Sequence, residues 1–273
     1  MRPALRLLRC SSPSALLARL ARNPELSAAD AKAELRWMRA AKGDLEDMVE
    51  RRARGEPLQY ILGDTDFGPL TLLCRPPVLI PRPETAYIVE HLASLLPSRP
   101  LRVLDLCTGS GCIPLLLAHL RADLTAVGVD VSPDAVSLAK ENIAAMGMEG
   151  RVRTVQADIL APDFLQRIEK EVGPVDLVTA NPPYIPQAEY DALPPSVRAY
   201  EDRGALLAGG EGGTAFYAHI AAIAPSMLRE GPGIKIAVEI GAGQGQTVAS
   251  LLPGHTEVVQ DQYGRDRMVT AVF

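Results

Sequence analysis

A doubly wound, mostly parallel α/β sheet with a C-terminal antiparallel hairpin, preceded by a small helical domain, is the fold this sequence predicts. Three observations predict it. From Leu101 onward, short β-prone runs alternate with segments of helical periodicity. The first run is followed by a glycine-containing turn, Cys107-Thr108-Gly109-Ser110-Gly111. The last two runs are separated only by residues 261–267, too few for a crossover helix, so they should pair antiparallel.

In chain order, Arg2, Arg6, Arg9, Arg19 and Arg22 precede the first acidic residue, Glu25, among Ser, Ala and Leu. Such a composition is that of a mitochondrial transit peptide, so residues 1–24 are expected to be a targeting segment to the matrix. The alternative is a basic first helix of a cytoplasmic, bacterial protein. Residues 25–55 should form a helical domain. Ser27 suits an N-cap with Asp30 at the capping-box position. Leu35, Met38, Leu45, Met48 and Val49 recur at helical spacing, and Gly43 interrupts them. So short a helical piece suits substrate docking or covering a cleft. Residues 56–83 mix β-prone pieces with Gly and Pro and are expected to be a linker with a hairpin. Pro83 opens a helix whose apolar positions are Ala86, Ile88, Val89, Leu92 and Leu95.

The sheet domain, 84–273, should hold strands near 103–106, 125–130, 152–158, 175–180, 234–240, 257–259 and 268–273. Helices are expected at 113–120, 134–146, 216–228 and 247–252, with a long loop before the third of these.

The fourth strand stops at Asn181-Pro182-Pro183-Tyr184. Two prolines cannot donate to a sheet ladder, so the strand ends there. The amide of Asn181 accepts through oxygen and donates through nitrogen, Pro182 offers a carbonyl, and Tyr184 a flat face. Two such oxygens can accept both hydrogens of a planar –NH2 group while the ring packs on its plane. A strand-ending turn is the ordinary alternative.

The glycine turn departs from G-x-G-x-x-G, and a lone glycine-rich turn is weak evidence. Asp105 precedes it, where a carboxylate would repel a pyrophosphate but suit a cationic ligand. Thr108 and Ser110 lie between residues that let the backbone approach that ligand, Gly109 and Gly111. Asp130 closes the second strand, where an acid commonly takes a ribose hydroxyl pair. Asp158 and Ile159 close the third and could hold an adenine. An adenosine with a cationic amino-acid tail fits this set: S-adenosylmethionine. Each acid alone reads equally well as a strand-end turn residue.

Charge narrows the partners. There are 28 basic and 33 acidic residues, a net charge of −5, so no global basic field holds a nucleic-acid backbone. No apolar run approaches the ~18 residues of a membrane span. The four cysteines and four histidines show no metal-ligand spacing, so no metal is expected and free thiols are.

These residues resemble the HemK/PrmC family of peptide-chain release factor glutamine methyltransferases. The matching pieces are residues 54–63, Leu79-Ile80-Pro81-Arg82-Pro83-Glu84-Thr85, the Asp105 to Gly111 loop, Asn181 to Tyr184, and residues 261–267. Asn-Pro-Pro-Tyr is shared with adenine methyltransferases, whereas the Pro-Arg-Pro-Glu-Thr segment is far more specific. The resemblance implies a seven-stranded class I S-adenosylmethionine-dependent methyltransferase over 84–273. It also implies transfer of a methyl group to the glutamine of the Gly-Gly-Gln tip of a class I release factor. Cofactor contacts would be Cys107 to Gly111, Asp130, Ile159 and Asn181, with Asn181 to Tyr184 holding the glutamine. By their own setting in a proline-stiffened loop, Arg82 and Glu84 read equally as plain surface charge or as lining the active-site mouth. The Arg-rich start would suit a mitochondrial, fungal-type member. Cys107 departs from the family's usual glycine and Ile159 from its frequent aromatic. The reaction needs no catalytic His or Cys, and a monomer without stable nucleic acid or membrane is expected. A nucleic-acid amino-methyltransferase is the competing reading, and a methyltransferase-like factor without catalysis another.

Overall fold

The computed structural model of the protein describes residues 12–273. They form two compact units, one of residues 12–63 with 194–200, the other of 64–193 with 201–273.

The first unit is helical. Ser12 caps α1 (Pro13–Leu20), accepting from the Ala15 amide. Ser27 and Asp30 form a reciprocal capping box on α2 (Ala28–Ala40). Asp44 caps α3 (Leu45–Ala53), and α4 (Leu58–Leu62) ends at Gly63, φ 87°. Leu16 and Leu20 of α1 pack with Leu35, Met38, Met48, Val49 and Ile61 in one core. Arg52 and Glu34 pair within it at 2.6 Å, and Arg22 pairs with Glu50 at 2.7 Å. The targeting segment expected over 1–24 is therefore corrected at its end. Residues 13–20 are core helix, and the part of that expectation resting on 1–11 lies outside the described residues. The helical unit also runs on to Gly63, beyond the expected 55, because Leu58 and Ile61 join its core.

The second unit opens with a hairpin, β1 (Asp64–Phe67) and β2 (Leu70–Leu73), then α5 (Pro83–Leu95). There follow β3 (Leu101–Leu106), α6 (Cys112–Leu120), β4 (Leu124–Asp130), α7 (Pro133–Ala145), β5 (Val152–Gln156), α8 (Phe164–Glu171) and β6 (Leu177–Ala180). The segment after β6 carries α9 (Gln187–Asp191), α10 (Pro195–Tyr200, in the helical unit) and α11 (Arg203–Leu206). The chain ends with α12 (Ala215–Met227), β7 (Ile236–Glu239), α13 (Gly245–Leu251), β8 (His255–Gln260) and β9 (Asp266–Val272).

The seven strands run in the order β5-β4-β3-β6-β7-β9-β8, parallel except for β9, which is antiparallel to both neighbours. This is the expected doubly wound sheet with its antiparallel end. Winding goes outward from β3 through β4 to β5, then returns to β6. The switch between β3 and β6 opens a crevice at their C-terminal ends.

Side-chain alternation divides the core. Leu104, Leu106, Val178 and Val238 pack with α8, α12 and α13 on one face. Val103, Ala126 and Ala237 pack with α5, α6 and α7 on the other. The sequence reading passed over α8, which buries only Phe164 and Ile168. It also ran the third strand to Asp158. The ladder stops at Gln156, and Asp158 instead accepts from the Leu160 amide at 2.9 Å.

Candidate active site

A cavity of about 300 Å³ lies at the C-terminal ends of β3, β4, β5 and β6. Cys107, Gly109, Asp130, Asp158, Ile159 and Asn181 all line it, as do Pro183, Phe216 and Asp202.

The turn after β3 is built by backbone geometry. Cys107 (φ 57°), Gly109 (φ 56°) and Gly111 (φ 80°) are all left-handed. Such a φ costs a side-chain-bearing residue on the order of 1–3 kcal/mol, and Cys107 bears it where glycine would not. At Gly109 a Cβ would meet nothing within 4 Å, whereas at Gly111 it would lie 3.2 Å from Ala139 on α7. Gly128 of β4 accommodates the turn from below, since a Cβ there would fall 2.5 Å from the Thr108 hydroxyl. Asn142 of α7 donates to the Ser110 carbonyl at 3.0 Å and accepts from the Leu73 amide at 2.7 Å.

Asp130 at the tip of β4 accepts from the amides of Gly109 (2.8 Å) and Ser132 (2.9 Å), one on each oxygen. Burial raises its pKa against those two bonds. Each oxygen keeps a lone pair for a ligand hydroxyl. Asp105, expected among the cofactor-binding residues, lies off the cavity. It is fully buried and is not part of the cavity wall, because alternation turns it toward α5 and α6. The Thr179 hydroxyl donates to its Oδ1 at 2.6 Å, while Oδ2 accepts no hydrogen bond. Burial pushes its pKa up to about 7, opposed by the nearby Thr108 and Thr179 hydroxyls. Thr108 and Ser110 are buried beside it with hydroxyl oxygens that make no hydrogen bond.

Open space at Gly109 and a half-buried aspartate at the tip of β4, with a lone pair left on each oxygen, fit S-adenosylmethionine. The sulfur chemistry of the chain itself is quiet. Burial raises the thiol of Cys107, and that of Cys112 to about 12, so neither is a thiolate near neutrality.

Asn181 sits half-buried at the tip of β6, and its side-chain amide makes no hydrogen bond among the described residues. Pro182 and Pro183 are buried, and of the two only Pro183 lines the cavity. Tyr184 packs against the sheet core, and burial raises its phenol. The geometry thus separates Asn181 and Pro183, on the cavity wall, from Pro182 and Tyr184, which lie off it. Arg82 and Glu84 do not line the cavity. Arg82 instead donates to both oxygens of Glu201 at 2.8 and 2.7 Å. Glu201 is buried, and the next residue, Asp202, is cavity wall and donates its amide to the Pro77 carbonyl at 2.7 Å.

Several residues escaped the sequence reading. Phe216 places an aromatic side chain on the wall where Ile159 had been expected to stand in for one. His219 bonds the Ile159 carbonyl at 2.7 Å. Glu239, buried at the tip of β7, has a pKa pushed up to about 7 by burial. The strand-end position of Glu239 was the one available signal.

Comparison with known proteins agrees with this geometry. Residues 97–206 match a methyltransferase domain model, and residues 26–63 match a PrmC N-terminal domain model. A release factor glutamine methyltransferase of Geobacter sulfurreducens is 42% identical over 226 residues, covering 81% of this chain and 75% of that protein. One from Moorella thermoacetica is 39% identical, covering 85% and 80%. The hMettl16 catalytic domain, solved in complex with the MAT2A 3'UTR hairpin 1, shares the fold at a TM-score of 0.55 and 20% identity, covering 88% of this chain and 93% of that one. With identity at this level over most of both lengths, the chain belongs to the HemK/PrmC family of release factor glutamine methyltransferases.

Proposed function

We propose that the protein transfers a methyl group from S-adenosylmethionine to the side-chain amide nitrogen of the glutamine in a Gly-Gly-Gln motif of a class I peptide chain release factor. The observation that carries this is Asn181, which lines the cavity at the sheet's switch point and whose side-chain amide makes no hydrogen bond among the described residues.

The bound cofactor supplies a methyl group already activated by its sulfonium. Asp130, fixed by the Gly109 and Ser132 amides, takes the ribose hydroxyls. Ile159, Phe216 and Asp158, which line the cavity, would hold the adenine. Asp105 acts from beneath the turn as a buried carboxyl, its pKa pushed up to about 7 by burial. An amide nitrogen is a poor nucleophile, so the chain's task is orientation. The Asn181 oxygen and the Pro182 carbonyl accept the two N–H groups of the glutamine and favour the positive charge that develops on nitrogen. Tyr184 covers the amide plane and excludes water. Arg82 and Glu84 act near the mouth, Arg82 through its pairing with Glu201. No base stronger than water is needed for the proton that leaves.

The enzyme works as a monomer without nucleic acid or membrane. Among the described residues no helix is long and apolar enough to cross a membrane. The bacterial relatives favour the cytoplasmic alternative over a fungal-type mitochondrial one.

The test is transfer of labelled methyl to a class I release factor, with the modified residue mapped by mass spectrometry. Incorporation at the Gly-Gly-Gln glutamine, abolished by its replacement with alanine, is expected. Incorporation into DNA or RNA, with none into the protein, overturns the reading.

A further inference from the structure

The prolines of the Asn181–Tyr184 segment stiffen its backbone locally but do not fix where it stands on the sheet. Pro182 and Pro183 have no N–H to donate, so between β6 and Tyr184 the chain lacks the ladder bonds that fix a strand. Its placement depends on what grips it downstream. Ile185 is paired on both sides, its amide donating to the Leu206 carbonyl and its carbonyl accepting from Ala208, each at 3.0 Å. The Tyr184 carbonyl is gripped by a side chain from elsewhere in the sheet unit.

That side chain is Gln244, at the N-terminus of α13. It does not cap its own helix. Its Oε1 accepts the Gly241 amide at 2.8 Å, and its Nε2 donates to the carbonyls of Tyr184 (3.1 Å) and Gly212 (2.7 Å). Both amide hydrogens and one acceptor site are thus committed, each to backbone. Two glycines make the approach feasible. A Cβ on Gly213, φ 75°, would lie 2.2 Å from the Tyr184 carbonyl oxygen. One on Gly241 would lie 2.9 Å from Gln244 Oε1 and 3.3 Å from the Tyr184 ring. No other side chain of the twenty offers one acceptor and two donors at this reach. Glutamate has the length but presents a carboxylate to two carbonyl oxygens, and asparagine is one carbon short.

We infer that Gln244 is a positioning residue for methyl transfer: by tying the Tyr184 carbonyl to the Gly212 and Gly241 loops it sets where the Asn181 amide and Pro182 carbonyl stand. The inference rests on the proposed reaction. Cofactor contacts come from the ends of β3, β4 and β5 and from Asn181, so the effect belongs to turnover more than to cofactor affinity.

The experiment compares wild type, Gln244→Ala and Gln244→Glu with the full-length release factor as substrate. The readouts are kcat and KM, calorimetric binding of S-adenosylmethionine, and the thermal midpoint. For Gln244→Ala, kcat should fall by roughly 10- to 100-fold, the scale of a small misplacement of reacting groups, with cofactor affinity essentially unchanged. For Gln244→Glu the defect should shrink as pH is lowered, because protonation restores one donor to the facing carbonyls. Full kcat in Gln244→Ala, or a pH-independent defect in Gln244→Glu, overturns the inference. If wild type leaves the release factor unmethylated, the proposed reaction fails and this inference fails with it. An active wild type beside a fully active Gln244→Ala sinks the inference alone.

Discussion

Thr85 donates its hydroxyl to Oε2 of Glu239 at 2.7 Å, joining the first turn of α5 to the tip of β7 inside the protein. The pairing does not offset the cost of burying the carboxylate. Burial dominates, and the Glu239 pKa rises to about 7 in spite of Thr85 and Arg267. Asp105, two strands away on the same face, is raised to about 7 for the same reason. In the unfolded chain both titrate near 4. Between those values the folded state holds protons the unfolded state has lost, so stability is full below about pH 4 and falls as pH rises toward 7. The contribution is on the order of 2–4 kcal/mol for each group. Urea denaturation of Glu239→Gln across this range should show a shallower fall than wild type. Parallel curves for the two proteins would mean that Glu239 is ionised at little cost in the folded state.

Asn181→Ala should leave the fold intact, because its side-chain amide makes no hydrogen bond among the described residues and Ala180 already ends the β6 ladder. Its cost should fall on methyl transfer, roughly 10²–10³-fold, the scale of removing one polar group that stabilises a transition state. A variant with an unchanged melting midpoint and wild-type turnover would remove Asn181 from the chemistry.

The strand–helix alternation, the antiparallel end and the stop of β6 at Asn181 were legible because each rests on short-range signals: periodicity, loop length and a proline stop. What was not legible depends on contacts distant in sequence. Arg82 read equally as surface charge or as a mouth residue, and nothing local showed that Glu201, 119 positions later, takes its guanidinium. Phe216 sits in a helix read correctly as a helix, yet nothing local says that its side chain turns to the cofactor cavity. Asp105 was read as a candidate cofactor contact, and its full burial off the cavity wall follows from the face to which the strand's alternation assigns it. The α8 helix was legible and was passed over: Phe164, Leu165 and Ile168 recur at helical spacing in an otherwise polar segment.

Asp130 has two tasks, and substitutions should separate them. It anchors the Gly109 amide and offers lone pairs to the ribose. Asp130→Ala should weaken S-adenosylmethionine binding by roughly 1.5–3 kcal/mol for each charge-assisted bond lost. Asp130→Asn keeps one acceptor oxygen and should lose less. Calorimetric titration showing equal affinity for all three proteins would take Asp130 out of the cofactor site.

The Arg-rich start invited a reading in which everything before residue 25 is dispensable, and the packing of α1 leads to the opposite expectation for its second half. Leu16 and Leu20 are 1% and 0% exposed and share a core with Met38, Met48 and Val49. The outer face of the helix is tied as well, with Arg19 paired to Glu46 and Arg22 to Glu50 on α3. Those ion pairs are partly exposed and contribute little, about 0–1 kcal/mol each. The leucines matter more. Leu20→Ala should destabilise the helical unit by about 2–5 kcal/mol, the range for emptying a buried leucine site. A chain beginning at residue 25 loses both leucines at once and should show the unit opened. Limited proteolysis within residues 28–53 would report it as faster cleavage than in the full chain. Cleavage at the same rate in both would show that α1 adds nothing to that core, and a removable segment ending at 24 would stand.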